Sequence, residues 1–328
     1  MKVFLYNKNN FFNDVFWAGL KDGFKASLSI IKIMIPISLI ITLLKYFGFV
    51  NLLGEIVSPL FGFLGLRGES ILVLISGYFI NCYSAIAVMA TLPLSIKEIT
   101  ILSTMILLCH TLPVELAVQK KAGGSFFLIM FIRVFSSLFI GVVLNHIIPN
   151  DVNYINIKLH SVAVDNPISF SKIIIGWLIE NLIIIKIIII NVCVTIFYKI
   201  LERYNIIGKV SRTFKYLMFI FGLPEETAFL WIVTNIIGLI YGASMLIDAK
   251  NKRSIDDLSL RKLNVSIATC HSLVQETANF LTIGASMIYL IIPRVIISII
   301  SVWIYNLFLF LKSSKVQRLK GSISNLLF

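Results

Sequence analysis

The chain has 328 residues, of which 58% are hydrophobic and only 14% are charged. Because a soluble domain carries roughly 25% charged residues, this composition cannot cover a water-facing surface, and it excludes a soluble globular enzyme. The richness in Ile, Leu, Val and Phe excludes a disordered chain, and the long unbroken apolar runs exclude a β-barrel of short alternating strands. The sequence therefore predicts a polytopic α-helical membrane protein.

The formal net charge of +13 comes from 29 Lys and Arg against 16 Asp and Glu. These basic residues lie mainly in short segments between apolar runs, as cytoplasmic positive charges of membrane proteins do. We find no basic and aromatic motif for nucleic acid. We expect a multi-pass protein of the cell membrane that has the lipid bilayer as a partner and no nucleic acid. Both ends of the chain are basic, so both termini are predicted to be cytoplasmic.

A transmembrane helix needs about 20 mostly apolar residues. In chain order, apolar runs predict such helices at 27–48, 97–119, 124–147, 173–198, 264–283 and 287–311. Two further runs, 70–92 and 226–247, follow the half-apolar segments 52–66 and 206–222. Each of these pairs predicts a hairpin or a surface helix, followed by a run that turns back before it crosses the membrane.

The sequence contains an internal repeat. An offset of 161 positions aligns Cys109–Leu112 with Cys270–Leu273, and eight of 25 aligned residues are identical without a gap. Upstream, an offset of 157 positions aligns the segment Gly65–Ser70 with the similar segment Gly222–Thr227. Such agreement is far above chance even in a biased composition, so the chain is predicted to be a duplication.

The duplication and the polar segment in the middle divide the chain into four parts. We expect an N-terminal repeat at 1–148, an extracytoplasmic linker at 149–171, a C-terminal repeat at 172–312 and a basic cytoplasmic tail at 313–328. Each repeat would have about three spanning helices and one re-entrant hairpin. Because an odd number of crossings inserts the second copy upside down, the predicted fold is all-α with two inverted repeats, as in many transporters.

Each repeat has two carboxylates in or beside apolar stretches, Glu69 and Glu115 in the first and Glu226 and Glu276 in the second. Each would cost roughly 2.5–3.5 kcal/mol at the centre of a bilayer on insertion scales. Glu69 and Glu226 could therefore lie at hairpin tips, either solvated or paired with Arg67 or Lys215. The repetition favours the alternative, in which the carboxylates converge near an axis between the repeats.

The motif around Glu115 and its equivalent Glu276 predicts a broken helix in each repeat. Pro113 removes a backbone donor and disturbs the preceding turn, whereas the equivalent position holds Val274, so a break there must come from packing. Four polar residues of the second copy follow the i, i+3, i+4, i+7 spacing of one helix face: Ser272, Gln275, Glu276 and Asn279.

Two histidines, and two arginines that lie inside apolar runs, are further candidates. His110 and His271 could be metal ligands together with nearby Cys and Glu, proton carriers or, as we favour, donors of interhelical hydrogen bonds. Arg133 and Arg294 either extend to the membrane surface or neutralise a carboxylate of their own repeat, and we favour the ion pair. Enzyme and cofactor motifs are absent from the sequence, so we expect neither catalysis nor a cofactor.

The hairpin motif Gly-Leu-x-[Gly/Glu]-Glu-[Ser/Thr], followed by His-[Thr/Ser]-Leu-x-x-Glu, resembles the Gate or nucleoside recognition domain. That domain is shared by concentrative nucleoside transporters, the membrane part of bacterial ferrous-iron transporters and bacterial spore maturation membrane proteins. The resemblance covers 50–145 and 205–311. It implies a transporter of a small polar, nucleoside-like solute, with a midplane site formed by hairpin tips and broken helices.

By matching position, the resemblance implies residues that bind the solute or a coupling ion: Glu69, Ser70, Glu115, Glu226, Thr227, Gln275, Glu276 and Asn279. Four neighbours in the broken helices complete the candidate site: His110, Thr111, His271 and Ser272. The Asn-Glu-Phe string of the nucleoside transporters, their scaffold helices and the GTPase of the iron transporters are absent. Two alternatives therefore stay open, a cation or metal permease with Glu and His ligands, and a scaffold that acts with a partner protein. A homo-oligomer is also compatible with the sequence.

Overall fold

The computed structural model describes residues 12–149, 170–204 and 206–324. These residues form helices and no β-strand, which confirms the all-α fold. Among them, four helical stretches are long and apolar enough to cross a membrane: Ile96–Lys121, Phe126–Ile147, Ile173–Arg203 and Met287–Lys312. The first and the third of these each contain two helices separated by a short break. The prediction of a polytopic membrane protein is confirmed. Most of the predicted linker at 149–171 lies outside the described residues.

The first half opens with a π-helical turn at Phe12–Trp17, and a 3₁₀ turn at Gly68–Ser70 precedes α3. Its α-helices are α1 (Ala18–Tyr46), α2 (Phe49–Gly62), α3 (Ile71–Phe79), α4 (Cys82–Ala90), α5 (Ile96–Cys109), α6 (Leu112–Lys121) and α7 (Phe126–Ile147). The start of α5 is fixed by a capping box, in which Ser95 and Glu98 satisfy each other's backbone N–H groups.

The described part of the second half has one α-helix more than that of the first, and its 3₁₀ turns are at Lys215–Phe219 and Glu225–Thr227. Its α-helices are α8 (Phe170–Glu180), α9 (Ile183–Arg203), α10 (Ile206–Phe214), α11 (Ala228–Ile237), α12 (Leu239–Asn251), α13 (Asp257–Thr269), α14 (Gln275–Leu281) and α15 (Met287–Ser324). The last helix continues through most of the predicted tail at 313–328, whose backbone is helical as far as Ser324.

The duplication is visible in the backbone geometry of the two halves. Left-handed backbone conformations, which L-residues rarely adopt, recur at three pairs of equivalent positions: Gly65 (φ 65°) and Gly222 (66°), Thr111 (48°) and Ser272 (51°), and Gly123 (96°) and Gly284 (88°). The agreement to within about 10° at each pair shows that the internal repeat in the sequence is also a repeat in the structure.

Each of the apolar runs 70–92 and 226–247 folds back on itself as a helical hairpin, and the tips lie further along the chain than the turns that contain Glu69 and Glu226. Helices α3 and α4 pack against each other, as do α11 and α12. With nine residues, α3 is about 14 Å long, well short of the roughly 30 Å hydrocarbon core. The tips are at Ile80–Asn81 and at Gly238, about ten residues beyond the turns that contain Glu69 and Glu226.

The two halves contact each other reciprocally. The Thr104 hydroxyl of α5 donates to the carbonyl of Tyr289 at the start of α15. In return, the Asn264 amide of α13 donates to the carbonyl of Ala122, which precedes α7. Helix α5 also packs on α15, and α13 packs on α7. Reciprocal contacts between equivalent elements require an approximate twofold relation between the copies. Their opposite insertion in the membrane remains a prediction.

Candidate functional site

Each repeat contains a helix that is broken where a hairpin packs against it. Helix α5 ends before His110, and the Thr111 N–H donates to the Gly77 carbonyl of the first hairpin (3.1 Å). In the second copy the Ser272 N–H donates to the Thr234 carbonyl of the second hairpin (3.0 Å). The second break thus forms without a proline, as packing on the hairpin allows.

In each copy a buried arginine donates hydrogen bonds to backbone carbonyl groups that the break leaves without a helical partner. Arg133 on α7 donates through Nε to the Leu108 carbonyl (3.2 Å) and through Nη2 to the His110 carbonyl (2.7 Å). Arg294 on α15 donates through Nη2 to the His271 carbonyl. Both arginines are fully buried, so they are structural parts of the broken helices and do not extend to the membrane surface.

The two breaks meet at a cluster of two histidines and two glutamates, of which three are buried and only Glu276 is partly exposed. The Nε2 atom of His110 lies 3.2 Å from Nε2 of His271 and 2.9 Å from Oε2 of Glu276. Glu115 lies between the histidines, with its two oxygens 3.3 Å from Nδ1 of His110 and 3.3 Å from Nε2 of His271. Contact between equivalent histidines places this cluster on the approximate twofold axis.

The charges of the cluster are not arranged symmetrically. Glu115 forms an ion pair with Arg133, but the equivalent Glu276 makes its ion-pair contact with His110 of the other repeat. Arg294 instead donates through Nη1 to the Thr277 hydroxyl (3.4 Å). The expected arginine–carboxylate pair therefore exists in the first copy and not in the second. As a result, the Glu276 carboxylate faces the interface between the repeats.

A row of neutral polar side chains lies beside the charged cluster, where α4, α9 and α14 meet. Oδ1 of Asn191 accepts hydrogen bonds from the Gln275 amide (3.1 Å) and the Tyr83 hydroxyl (3.1 Å). The Asn191 amide donates to Oδ1 of Asn279 (3.3 Å). The predicted polar face of the second broken helix is thus present in α14, except that Ser272 lies in the break.

Four predicted site residues lie in the 3₁₀ turns that precede the hairpins: Glu69, Ser70, Glu226 and Thr227. Next to the first turn, Arg67 forms an ion pair with Glu98 at the start of α5 (3.0 Å). Because Glu98 is twelve residues before His110, it lies about 18 Å from the cluster along the helix. The predicted convergence of the turn carboxylates with the broken helices is not observed.

The turn in the second copy likewise lies beside the start of the helix that is broken, which is α13 in this copy. Glu226 is exposed and lies beside Asp256, the N-cap residue of α13. The Thr227 hydroxyl is used locally and donates to the Pro224 carbonyl (2.7 Å). The physical reason for the difference is that the hairpin helices run from these turns toward the breaks, so their far ends, and not the turns, reach the cluster.

Sequence reasoning missed three residues of the assembled site. Cys82 and Tyr83 follow the tip of the first hairpin, and Asn191 is the one residue of α9 with an amide side chain. The last of these had a usable signal, since a lone amide in an apolar spanning helix generally bonds across to another helix. Cys82 and Tyr83 had none, because only the fold brings the hairpin tip to the breaks.

The chain is similar in sequence to a known family and to a known membrane protein. Residues 27–126 match the family model described as nucleoside recognition. This part of the chain is therefore similar to a Gate domain. The matched region includes most of α1, the first hairpin and the first broken helix. A relative, the uncharacterized membrane protein YvoD of Bacillus subtilis strain 168, is 27% identical over 289 residues, which are 86% of this chain and 90% of the relative. No solved structure matches the chain significantly.

Proposed function

We propose that this membrane protein is a transporter, not an enzyme, and that it moves a small polar, nucleoside-like solute between its two repeats. One observation supports the proposal most strongly: a hairpin tip and a broken helix from each repeat end around one cluster of His110, Glu115, His271 and Glu276. Interrupted backbone at membrane depth is tolerated only where protein buries it or where it lines a solute path.

The residues around the breaks suit a two-part site. The amides of Asn191, Gln275 and Asn279 and the Tyr83 hydroxyl supply directional donors and acceptors without net charge. Such groups match the hydroxyl and base-edge groups of a nucleoside-like solute. The adjacent histidines and glutamates can exchange protons or bind a coupling cation.

The proposal includes an arrangement in the membrane. The two copies insert with opposite orientation, both termini are cytoplasmic, and the cluster lies near the midplane. In that arrangement, rocking of one repeat against the other around the twofold axis would open the site to each side in turn. The reciprocal contacts of α5 with α15 and of α7 with α13 are the surfaces that would move.

Uptake into proteoliposomes tests the proposal. We expect the purified chain to accumulate radiolabelled uridine in the presence of a proton or sodium gradient. Asn279→Ala should lower uptake at least about tenfold, because a buried polar site rejects a solute that it can no longer pair. The control is Asn251→Ala, which removes an exposed amide at the end of α12 and should leave uptake unchanged.

Two results would contradict the proposal. If the wild-type chain accumulates neither uridine, adenosine nor free nucleobases under either gradient, a nucleoside-like solute is ruled out. Equal uptake by wild type and Asn279→Ala would show that the amide row does not bind the solute.

A further inference from the structure

The tip of the first hairpin brings a thiol to the charged cluster. Cys82 begins α4, directly after the break in the hairpin, and it is buried. One donor atom from each of Cys82, His110 and Glu276 lies within 4.8 Å of the other two. The three residues come from a hairpin, the first broken helix and the second broken helix, so they meet only in the folded protein.

These three side chains are a ligand set of recognisable chemistry. A thiolate, an imidazole and a carboxylate together suit borderline divalent ions such as Zn²⁺, Fe²⁺ and Co²⁺ and not the hard ions Mg²⁺ and Ca²⁺, which prefer oxygen. Three protein ligands leave a fourth position for water or another small ligand, as in zinc sites that stay open. The neighbouring Cys109 belongs to neither potential ligand group of the described residues.

The environment of His110 orients it as a ligand. Its Nε2 faces Glu276, while its Nδ1 lies 3.3 Å from the Glu115 carboxylate, which Arg133 holds in place. A metal-bound histidine ordinarily donates its other N–H to a carboxylate in this way. Glu115 is therefore a positioning residue, since it would fix the ring through Nδ1 and leave Nε2 free for the ion.

The second histidine adds an independent argument. Nδ1 of His271 lies 2.7 Å from the Ile267 carbonyl, which can only accept, so the neutral ring carries its proton on Nδ1. Its unprotonated Nε2 then faces Nε2 of His110 and an oxygen of Glu115. When His110 is neutral and carries its proton on Nδ1, acceptor atoms face one another at this point, and either a proton on Nε2 of His110 or a bound cation removes that repulsion.

We propose that Cys82, His110 and Glu276 form a binding site for a divalent transition-metal cation between the two repeats. The thiol binds as thiolate and its proton passes to the solvent. The inference goes beyond solute transport and does not depend on it, because it stands on the donor atoms alone. It gives the alternative of a cation permease a specific ligand set.

Cobalt binding to the full-length chain in detergent tests the site. Co²⁺ reports its ligands directly, since a thiolate ligand produces a charge-transfer absorption band in the near ultraviolet. We expect one Co²⁺ per chain with this band, displaced by Zn²⁺. Cys82→Ser should abolish the band, and Glu276→Gln should weaken Co²⁺ binding roughly tenfold or more.

Cys270→Ser is the matched control, because Cys270 is equally buried but its thiol bonds to Asn235 (3.5 Å) and belongs to no ligand group. It should keep the band. Wild-type protein that binds no Co²⁺, or binds it without the band, overturns the proposal. The proposal is also overturned if the band survives in Cys82→Ser. It is likewise overturned if the band disappears in Cys270→Ser while the size-exclusion profile of that variant is unchanged.

The outcome is separable from that of the solute proposal. A cobalt band in a protein that does not accumulate uridine would support the metal site and contradict nucleoside-like transport. Uridine uptake by a protein without the band would support transport and overturn the metal site.

Discussion

The two broken-helix junctions share a backbone and differ in their charges. At both, a residue in the left-handed region donates its N–H to the hairpin, and an arginine from the following helix binds the freed carbonyl. In the first copy that arginine also pairs with Glu115, whereas in the second copy the equivalent Glu276 turns to His110 across the interface. The two copies therefore share the broken backbone and its arginine, but their equivalent carboxylates have different partners.

This difference suggests a division of labour between the copies. The first junction is a closed ion pair that orients His110, and it contributes mainly to stability. The second junction leaves a carboxylate directed at the interface, where solute or ion binding would take place. Substitutions at equivalent positions should accordingly have unequal effects, and the following experiments examine that inequality.

The largest expected effect is on the arginines. Arg133→Met leaves the buried Glu115 without its arginine, and breaking a buried ion pair in this way costs about 3–5 kcal/mol. Arg294→Met removes hydrogen bonds to the His271 carbonyl and the Thr277 hydroxyl, for which about 1–3 kcal/mol is expected. Thermal melting in detergent, followed by tryptophan fluorescence, measures both. A larger loss for Arg294→Met would contradict the division of labour.

The hairpin tips allow a second comparison. Gly238 has φ 98° and ψ 164°, and a Cβ there would lie 2.8 Å from Oγ of Ser272. Gly238→Ala should destabilise the protein by about 1–3 kcal/mol through backbone strain. The first tip has Asn81 in an extended conformation (φ −174°) and needs no glycine.

Gly62→Ala is the control for this substitution. A Cβ at Gly62 meets nothing within 4 Å, and alanine favours a helix more than glycine does. Its melting temperature should be equal to or above that of the wild type. Equal melting of Gly238→Ala and wild type would show that the tip is not held in the described geometry.

The smallest expected effect concerns the N-caps of α5 and α13. Asp256 caps α13 where Ser95 caps α5, and the hydrogen bonds that the Ser259 hydroxyl and N–H donate hold the pKa of the Asp256 carboxyl below its usual value. Asp256→Ala should cost about 1 kcal/mol at neutral pH. Because the pKa is lower in the folded state, this stabilisation is present above about pH 4 and is lost as the pH falls further.

Melting curves of wild type and Asp256→Ala between pH 7 and pH 3 check the cap. The two curves should converge at the acidic end of this range. A constant difference over the whole range would show that the carboxylate charge does not contribute. Asp257→Ala, which changes an exposed acid of the first turn that caps nothing, should shift the melting temperature less than Asp256→Ala at neutral pH.

Local sequence was sufficient for the repeat and for the broken helices. The His-[Thr/Ser]-Leu-x-x-Glu motif contains both the residue that takes the left-handed conformation and the carboxylate of the cluster, so its identification required no tertiary information. The turning back of the runs 70–92 and 226–247 was predictable because each run follows a half-apolar segment.

The ends of the hairpins were not predictable in the same way. Whether the turn with Glu69 or the tip with Cys82 reaches the cluster depends on the direction in which the hairpin enters the protein, and a helix pattern is the same in both directions. Asn191 depends on the rotation of α9 against α14, which packing between distant segments decides.

The most direct test of the account compares two glutamates of the same repeat. Glu276 lies in the central cluster, whereas Glu226 lies exposed in the turn before the hairpin. Uridine uptake into proteoliposomes should be abolished in Glu276→Gln and retained in Glu226→Gln. Uptake that survives in Glu276→Gln but is lost in Glu226→Gln would contradict a functional site at the junction of the two repeats.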